Sequence, residues 1–410
     1  MSLAKLQDHV QSWQIYIERN PLIILLLVLS IWLFGYWNRN TPNPSKHAPD
    51  PYRGYPPIDP LPDFDWQTTE PLVFRPFKPK YHLTMALSTL DPSALIPMDK
   101  TYKQRMAHRA TLLQAHRDVI LGVNDPSCPR TRAAVSELYT FLLSTYLPTR
   151  YPRMFRLSTP AGGKPLLENR VTGRVVPAIF DADADASGSG SGSEPTIEAL
   201  ETLGQIVDED FLILLPEVEA EVKVDGDDKR ADSHAPERYI LEAYTAYFPS
   251  GFDTRTKLGR RLAEIHEPVP GYAATLERSM DRFFARLEVG RFVQRVNWSV
   301  TTGTGLFAAF GGVHGSGAEG NGDGIQPGEL DVDATVLRCE RQTLHRLPQS
   351  RALVFAFHTY TYPIRAVKEE GLGDELATAI DGMKEGNVPE IHWYKRASVW
   401  GEAVKHYLRS

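Results

Sequence analysis

Three patches of the sequence hold side chains whose types and spacing suit chemistry. The first centres on His266, in the run KLGRRLAEIHEPVPGY from Lys257 to Tyr272. Leu258, Leu262 and Ile265 recur at i, i+4 and i+7, while Lys257, Arg260, Arg261 and Glu264 take the other side. This spacing predicts an amphipathic helix that ends at His266. Pro268 and Pro270 stop it, push Glu267 and Val269 toward extended backbone and stiffen the exit. A histidine held so firmly either caps the last helical carbonyls or offers its restrained imidazole to a metal or a haem iron. The second patch is RCERQTLHRLP from Arg338 to Pro348. Arg338, Glu340, Arg341, His345 and Arg346 crowd a strand there, either as a solvated edge or as guanidinium groups that grip a propionate or phosphate bidentately. The third is Val207-Asp208-Glu209-Asp210-Phe211, acidic residues that lead into an apolar strand. They are solvated carboxylates, or Asp210 and Glu209 pass protons or bind an amine.

Other chemistries find no support. Gly303-Thr304-Gly305-Leu306-Phe307-Ala308 has the glycine spacing of a dinucleotide loop, yet a glycine-rich stretch follows where a helix would be required. No P-loop, nucleophile elbow or HExxH run occurs. Two cysteines, Cys128 and Cys339, among 410 residues exclude a Cys-built cluster and fit a reducing compartment. A net charge of −6 without a dense basic run excludes an electrostatic footprint for nucleic acid.

These residues need elements to position them. Helical spacing appears over Tyr102 to Ile120, Thr131 to Tyr146 and Ala273 to Leu287. β-branched and aromatic runs predict strands over Tyr239 to Phe248, Arg291 to Val300, Ala334 to Leu344 and Arg351 to Tyr362. Strands that mostly follow helices, with few βαβ alternations, point to an α+β domain around an antiparallel sheet. Residues 1–20 precede PLIILLLVLSIWLFGYW (Pro21 to Trp37), an uncharged run of membrane-spanning length that reads as an uncleaved anchor. The Lys/Arg flanks place the C-terminal bulk in the cytosol, with an endomembrane such as the endoplasmic reticulum as the site. Residues 38–62 read as a Pro-rich spacer, and 63–410 as one domain interrupted by low-complexity loops at 181–194 and 311–329.

Several longer motifs occur in a fixed order: MALSTLDPSALIPMDKTYKQRMAHRATLL from Met85, LPTRYPRMF from Leu147, IVDEDFLIL from Ile206, AYFPSGFDTRTKLGRRLAEIHEPVPGY from Ala246, RVNWSV from Arg295, and LRCERQTLHRLPQSRALVFAFHTYTYPI from Leu337. In this order they resemble the haem-dependent oxidative N-demethylase family over roughly Tyr81 to Arg365. With its apolar anchor the chain is similar to a membrane-tethered, fungal-like member.

The resemblance implies haem b in a PAS-like α+β fold and an O2-dependent N-demethylation of small alkylamines that releases formaldehyde. Electrons would come from NADPH through a separate reductase that carries FMN and an iron–sulfur centre. It makes His266 the axial ligand, gives Arg338 and Arg341 the haem propionates, and gives Asp210 or Glu209 the amine or the protons of O–O cleavage. One motif departs from the pattern. A His-Asp pair is expected soon after Asn297-Trp298-Ser299, and Thr301 and Thr302 stand there. The rival reading is a membrane-tethered PAS-like module that senses haem or a small ligand without turning it over.

Overall fold

The computed structural model describes residues 55–180, 195–217, 237–315 and 324–410. In chain order its strands are β1 (Ser88–Thr89), β2 (Leu121–Val123), β3 (Phe155–Ser158), β4 (Leu166–Asn169), β5 (Arg174–Pro177), β6 (Asp210–Pro216), β7 (Tyr239–Thr245), β8 (Val293–Thr302), β9 (Thr335–Arg346) and β10 (Leu353–Pro363). The last five are the longest, and their β-branched, aromatic and leucine side chains suit a pleated, buried surface. They form the middle of a seven-stranded sheet in the order β1-β8-β9-β10-β6-β7-β2. Every pairing in it is antiparallel. A separate three-stranded sheet, β3-β4-β5, was not legible in the sequence.

Because side chains alternate along a strand, register decides which residues share a face. Gln342 pairs with Arg295 on β8 and Phe357 on β10, so these share one face with Glu340, Leu344 and Phe355. Arg341 pairs with His358 on the opposite face. The short helices Leu262–Ile265 and Tyr272–Thr275 and the helix Glu277–Arg286 cover the first face, where Leu262, Ile265, Tyr272, Met280 and Phe284 join Leu212, Leu214 and Phe357 in one core. Helices Pro129–Thr140 and Pro195–Ile206 cover the second face over β6 and β7. The C-terminal helices Gly373–Asp381 and Ala397–Arg409 cover it over Trp298, Val300, Leu337 and Cys339. Segment 79–83 crosses the C-terminal region at closest approach. A Cβ on Gly386 would collide with the Tyr81 carbonyl, so only glycine lets the backbones touch there.

The strands and the helix Tyr102–Ile120 lie where the sequence places them. Other expectations need correction. Helix 257–266 shrinks to the single turn Leu262–Ile265, because Gly259 takes a positive φ of 74° and Arg261 is extended and bridges Ile240 on β7. Glu267 lies in a turn instead of extended backbone. The helix expected to run to Tyr146 changes to a π-helical turn at Phe141–Tyr146. Within 38–62, residues from Tyr55 already pack: the Tyr55 hydroxyl donates to the Arg346 carbonyl at 3.1 Å. Within 311–329, Val313 is buried and the Ile325 amide donates to the Val399 carbonyl at 2.8 Å. Residues 1–54, with the anchor read at Pro21 to Trp37, and the loop 181–194 lie outside the described residues. Among the described residues no helix is long and apolar enough to cross a membrane.

Candidate functional site

Between the first face of the sheet and the helices over it lies a cavity of about 240 Å³. Its wall is mostly apolar: Leu83, Leu212, Leu214, Met280, Phe284 and Phe357 are among its lining residues. The polar groups on the wall are few, which is the make-up of a small-molecule site.

His266 is one of them. Its Nδ1 lies 2.8 Å from the Leu262 carbonyl oxygen, which can only accept, so Nδ1 carries the proton and Nε2 the lone pair. The ring stacks on Tyr272 at 4.7 Å and 13°, and the Val269 amide donates back to the His266 carbonyl at 2.8 Å, which holds the exit turn. Burial lowers its pKa to about 4, helped by Lys257 and Arg295 and opposed by the bond to Leu262. The imidazole is therefore neutral at pH 7, with a fixed orientation and a free lone pair. These are the attributes of a ligating histidine.

A second imidazole lines the same cavity. His314 stacks on Tyr394 at 4.5 Å and 15°, and burial and Lys395 lower its pKa to about 3 against a hydrogen bond with the Ser250 backbone. It lies in a glycine-rich stretch with no periodicity to mark it. The one signal there was the pair Val313-His314, large residues among glycines. His314 thus reaches the cavity wall from beyond β8, while Thr301 and Thr302 stand close behind Asn297-Trp298-Ser299.

The remaining polar wall is basic. Lys257, Arg295 and Lys395 face Glu340 as the carboxylate of the lining. Lys257 donates to the Ile265 carbonyl at 3.0 Å, and burial lowers its pKa to about 8. Burial also lowers that of Arg295, whose Nε has no hydrogen-bond partner among the described residues. Lys395 is buried and donates to Asn297 Oδ1 at 2.9 Å and to the Trp298 carbonyl. Glu340 accepts from Gln342 Nε2 at 3.0 Å. A wall with more cations than anions favours an anionic group on the ligand.

Of the residues singled out in the sequence, His266, Lys257 and Glu340 line the cavity, and Arg338, Arg341, Asp210 and Glu209 do not. Arg338 donates to the carbonyls of Phe248, Pro249, Gly305 and Leu306 and to Ser250 Oγ, so its guanidinium ties two loops together. Arg341 donates to the Ala94 and Leu95 carbonyls and to Gln294 Oε1. Asp210 accepts from Arg109 at 2.9 Å and from the Phe248 amide at 2.7 Å. Glu209 is buried on the second face, with Arg341 Nη1 4.0 Å and His358 Nδ1 3.7 Å from its Oε1. Sequence adjacency to a strand could not tell which face each side chain joins.

Fold and site together define an α+β protein whose antiparallel sheet encloses an apolar, basic-walled cavity with a poised imidazole. A family model described as haem-dependent oxidative N-demethylase, alpha subunit-like, matches residues 86–405. The chain belongs to that family. The donor set fits haem: an apolar wall for the macrocycle, one neutral histidine with its lone pair free, and buried cations without ion-pair partners.

Proposed function

We propose that this chain would hold haem b in the cavity through His266 and oxidatively remove a methyl group from a small alkylamine, with formaldehyde as product. The observation that carries this reading is the tautomer and restraint of His266: Nδ1 donates to Leu262, the ring stacks on Tyr272, and the ring lines an apolar cavity. Family membership supports the reaction class. The order of the five long strands, second-first-fifth-fourth-third with the helices between second and third, supports the PAS-like reading of the sheet.

When bound, haem supplies the activation of O2, drawing electrons from a separate reductase that takes them from NADPH through FMN and an iron–sulfur centre. The chain's own residues bind and exclude. Lys257 and Arg295 line the cavity and would hold the propionates, a role from which Arg338 and Arg341 are removed because neither lines the cavity. Glu340 would hold the amine, since Asp210 and Glu209 do not line the cavity. The apolar wall keeps water from the reacting amine. The segment Pro21 to Trp37 would tether this body to the cytosolic side of an endomembrane.

The test is the absorption spectrum of the full chain, purified in detergent after addition of hemin. A Soret band that His266→Ala abolishes is the expected result; a folded protein that stays colourless would overturn the reading. Formaldehyde released from a methylamine, with reductase and NADPH supplied, is expected next. Colour without turnover would favour the sensor.

A further inference from the structure

Lys395 carries the inference furthest. It follows the short helix Ile391–Tyr394, is 1 % exposed, and lines the cavity. β1 covers the outer edge of β8 only at Val293 and Gln294, and farther along that edge Lys395 Nζ donates to the Trp298 carbonyl. Its second bond goes to Asn297 Oδ1 at 2.9 Å. The rings of Tyr81 and Trp298 lie 5.1 and 5.4 Å from Nζ. No carboxylate pairs with it among the described residues.

The groups that act on Nζ come from every side. Arg295 on β8 repels its charge, while Glu340 and Cys339 on β9 favour it without an ion pair. Burial dominates and lowers the pKa to about 7. His314 is kept neutral nearby, and the Tyr81 phenol is held protonated by burial. A neutral amine has two N–H bonds. Both are engaged here, by Asn297 and Trp298, so the lone pair is what remains for the cavity. A lysine desolvated in an apolar pocket beside another cation is the environment that activates amines as nucleophiles.

We infer that Lys395 is a nucleophilic amine that captures small aldehydes entering the cavity as an imine. The Nζ lone pair adds to the carbonyl carbon to give a carbinolamine, which loses its hydroxyl with the Nζ proton as one water. No oxidant or reductant is required, and water reverses the step. The inference needs the cavity and the amine alone, so it stands apart from the haem reading. If that reading holds, the aldehyde formed in the cavity is the first candidate.

The experiment uses the full chain without haem or reductase, a limiting amount of formaldehyde, and cyanoborohydride, which reduces the imine to a methylamine. Peptide mapping follows methylation at each lysine. At pH 7 an ordinary lysine is neutral to less than about one part in a thousand. Lys395 should therefore be methylated at least about tenfold faster than the exposed Lys78, Lys80 and Lys103. Its rate should fall between pH 8 and 6. Lys395→Arg, which keeps donors for Asn297 and Trp298, should lose this fast site and no other. Labelling of Lys395 no faster than Lys78, or only after unfolding in urea, would overturn the inference.

Discussion

The two faces of the sheet are built from the same strands and treat burial in opposite ways. The first face is hollow. Its histidines and lysines are desolvated beside apolar walls, and burial pushes His266, His314 and Lys395 toward their neutral forms. The second face is filled by charge, and one end of β6 is locked in the same way. Arg109 donates to Asp210, to the Glu209 carbonyl and to the Gly204 carbonyl while lying over the Tyr247 ring at 3.9 Å. Burial alone would raise the Asp208 carboxyl, but Arg105, His358 and Arg109 overcome it and hold it below the usual carboxylate range. Charges that pair stay charged and rigidify; charges that face a void give up protons or keep a lone pair. The hollow face can thus bind, and the filled one fixes the strands that shape it.

Four measurements break or sharpen that contrast. Asp210→Ala should cost the most, about 3–5 kcal/mol in urea unfolding, because buried Arg109 and the Phe248 amide both lose a close partner and only Asp208, at 3.6 Å, remains beside Arg109. A loss below about 1 kcal/mol would show that the ionic lock is not structural. The neighbours Ile213 and Leu214 offer a direct comparison, since they point to opposite faces of one strand and both are buried. Ile213→Ala should cost about 3–4 kcal/mol. Leu214→Ala should cost about 2, since a side chain that lines a void has fewer contacts to lose. Equal costs would deny the hollow.

Acid separates the faces by pH. His266 and His314 have folded pKa values below the ordinary 6.5, so the unfolded chain binds more protons between about 4 and 6.5. Stability should fall as pH drops through that window, by at most about 1.4 kcal/mol per unit per histidine. Asp208 acts in the other order. Its folded value is depressed, so its contribution persists there and disappears only as pH falls below the ordinary carboxylate value. The double variant His266→Phe, His314→Phe should make the fall across the first window shallower, measured as urea midpoints at pH 4.5, 5.5 and 6.5. His345 contributes to the same window from the second face. Neither of its ring nitrogens has a partner among the described residues, and it stacks on Phe292 at 4.7 Å. His345→Phe should therefore stabilise by about 1 kcal/mol at neutral pH, the smallest of the four effects. A destabilisation would mean that a buried partner serves those nitrogens.

Much of the frame was legible. Long β-branched and aromatic runs announced β7 to β10, and Leu258, Leu262 and Ile265 announced an apolar stripe that does reach the core. The stripe misled about length because Gly259 at positive φ ends the helical path, and periodicity counts apolar positions without reading backbone handedness. Of the site, His266 was legible from its two following prolines. Lys395 and His314 were not. Each lies far in sequence from the strand or helix it faces, and neither has a local pattern to mark it.

What the sequence determined by itself is local: strand alternation, the stop after His266, the acidic and basic character of each run, and the ordered motifs that mark the family. Tertiary structure alone decided which charges meet. Glu209 and Asp210 are adjacent in the chain and Arg338 and Arg341 are three apart, yet packing gave them to loop carbonyls, to Arg109 and to the second face. Lys257, Arg295, Glu340 and Lys395 were brought to one cavity from four separate segments. The physical reason is that a pKa, a lone pair or an unpaired cation depends on the dielectric and partners within a few ångströms, and those are set by long-range contacts that no window of sequence contains.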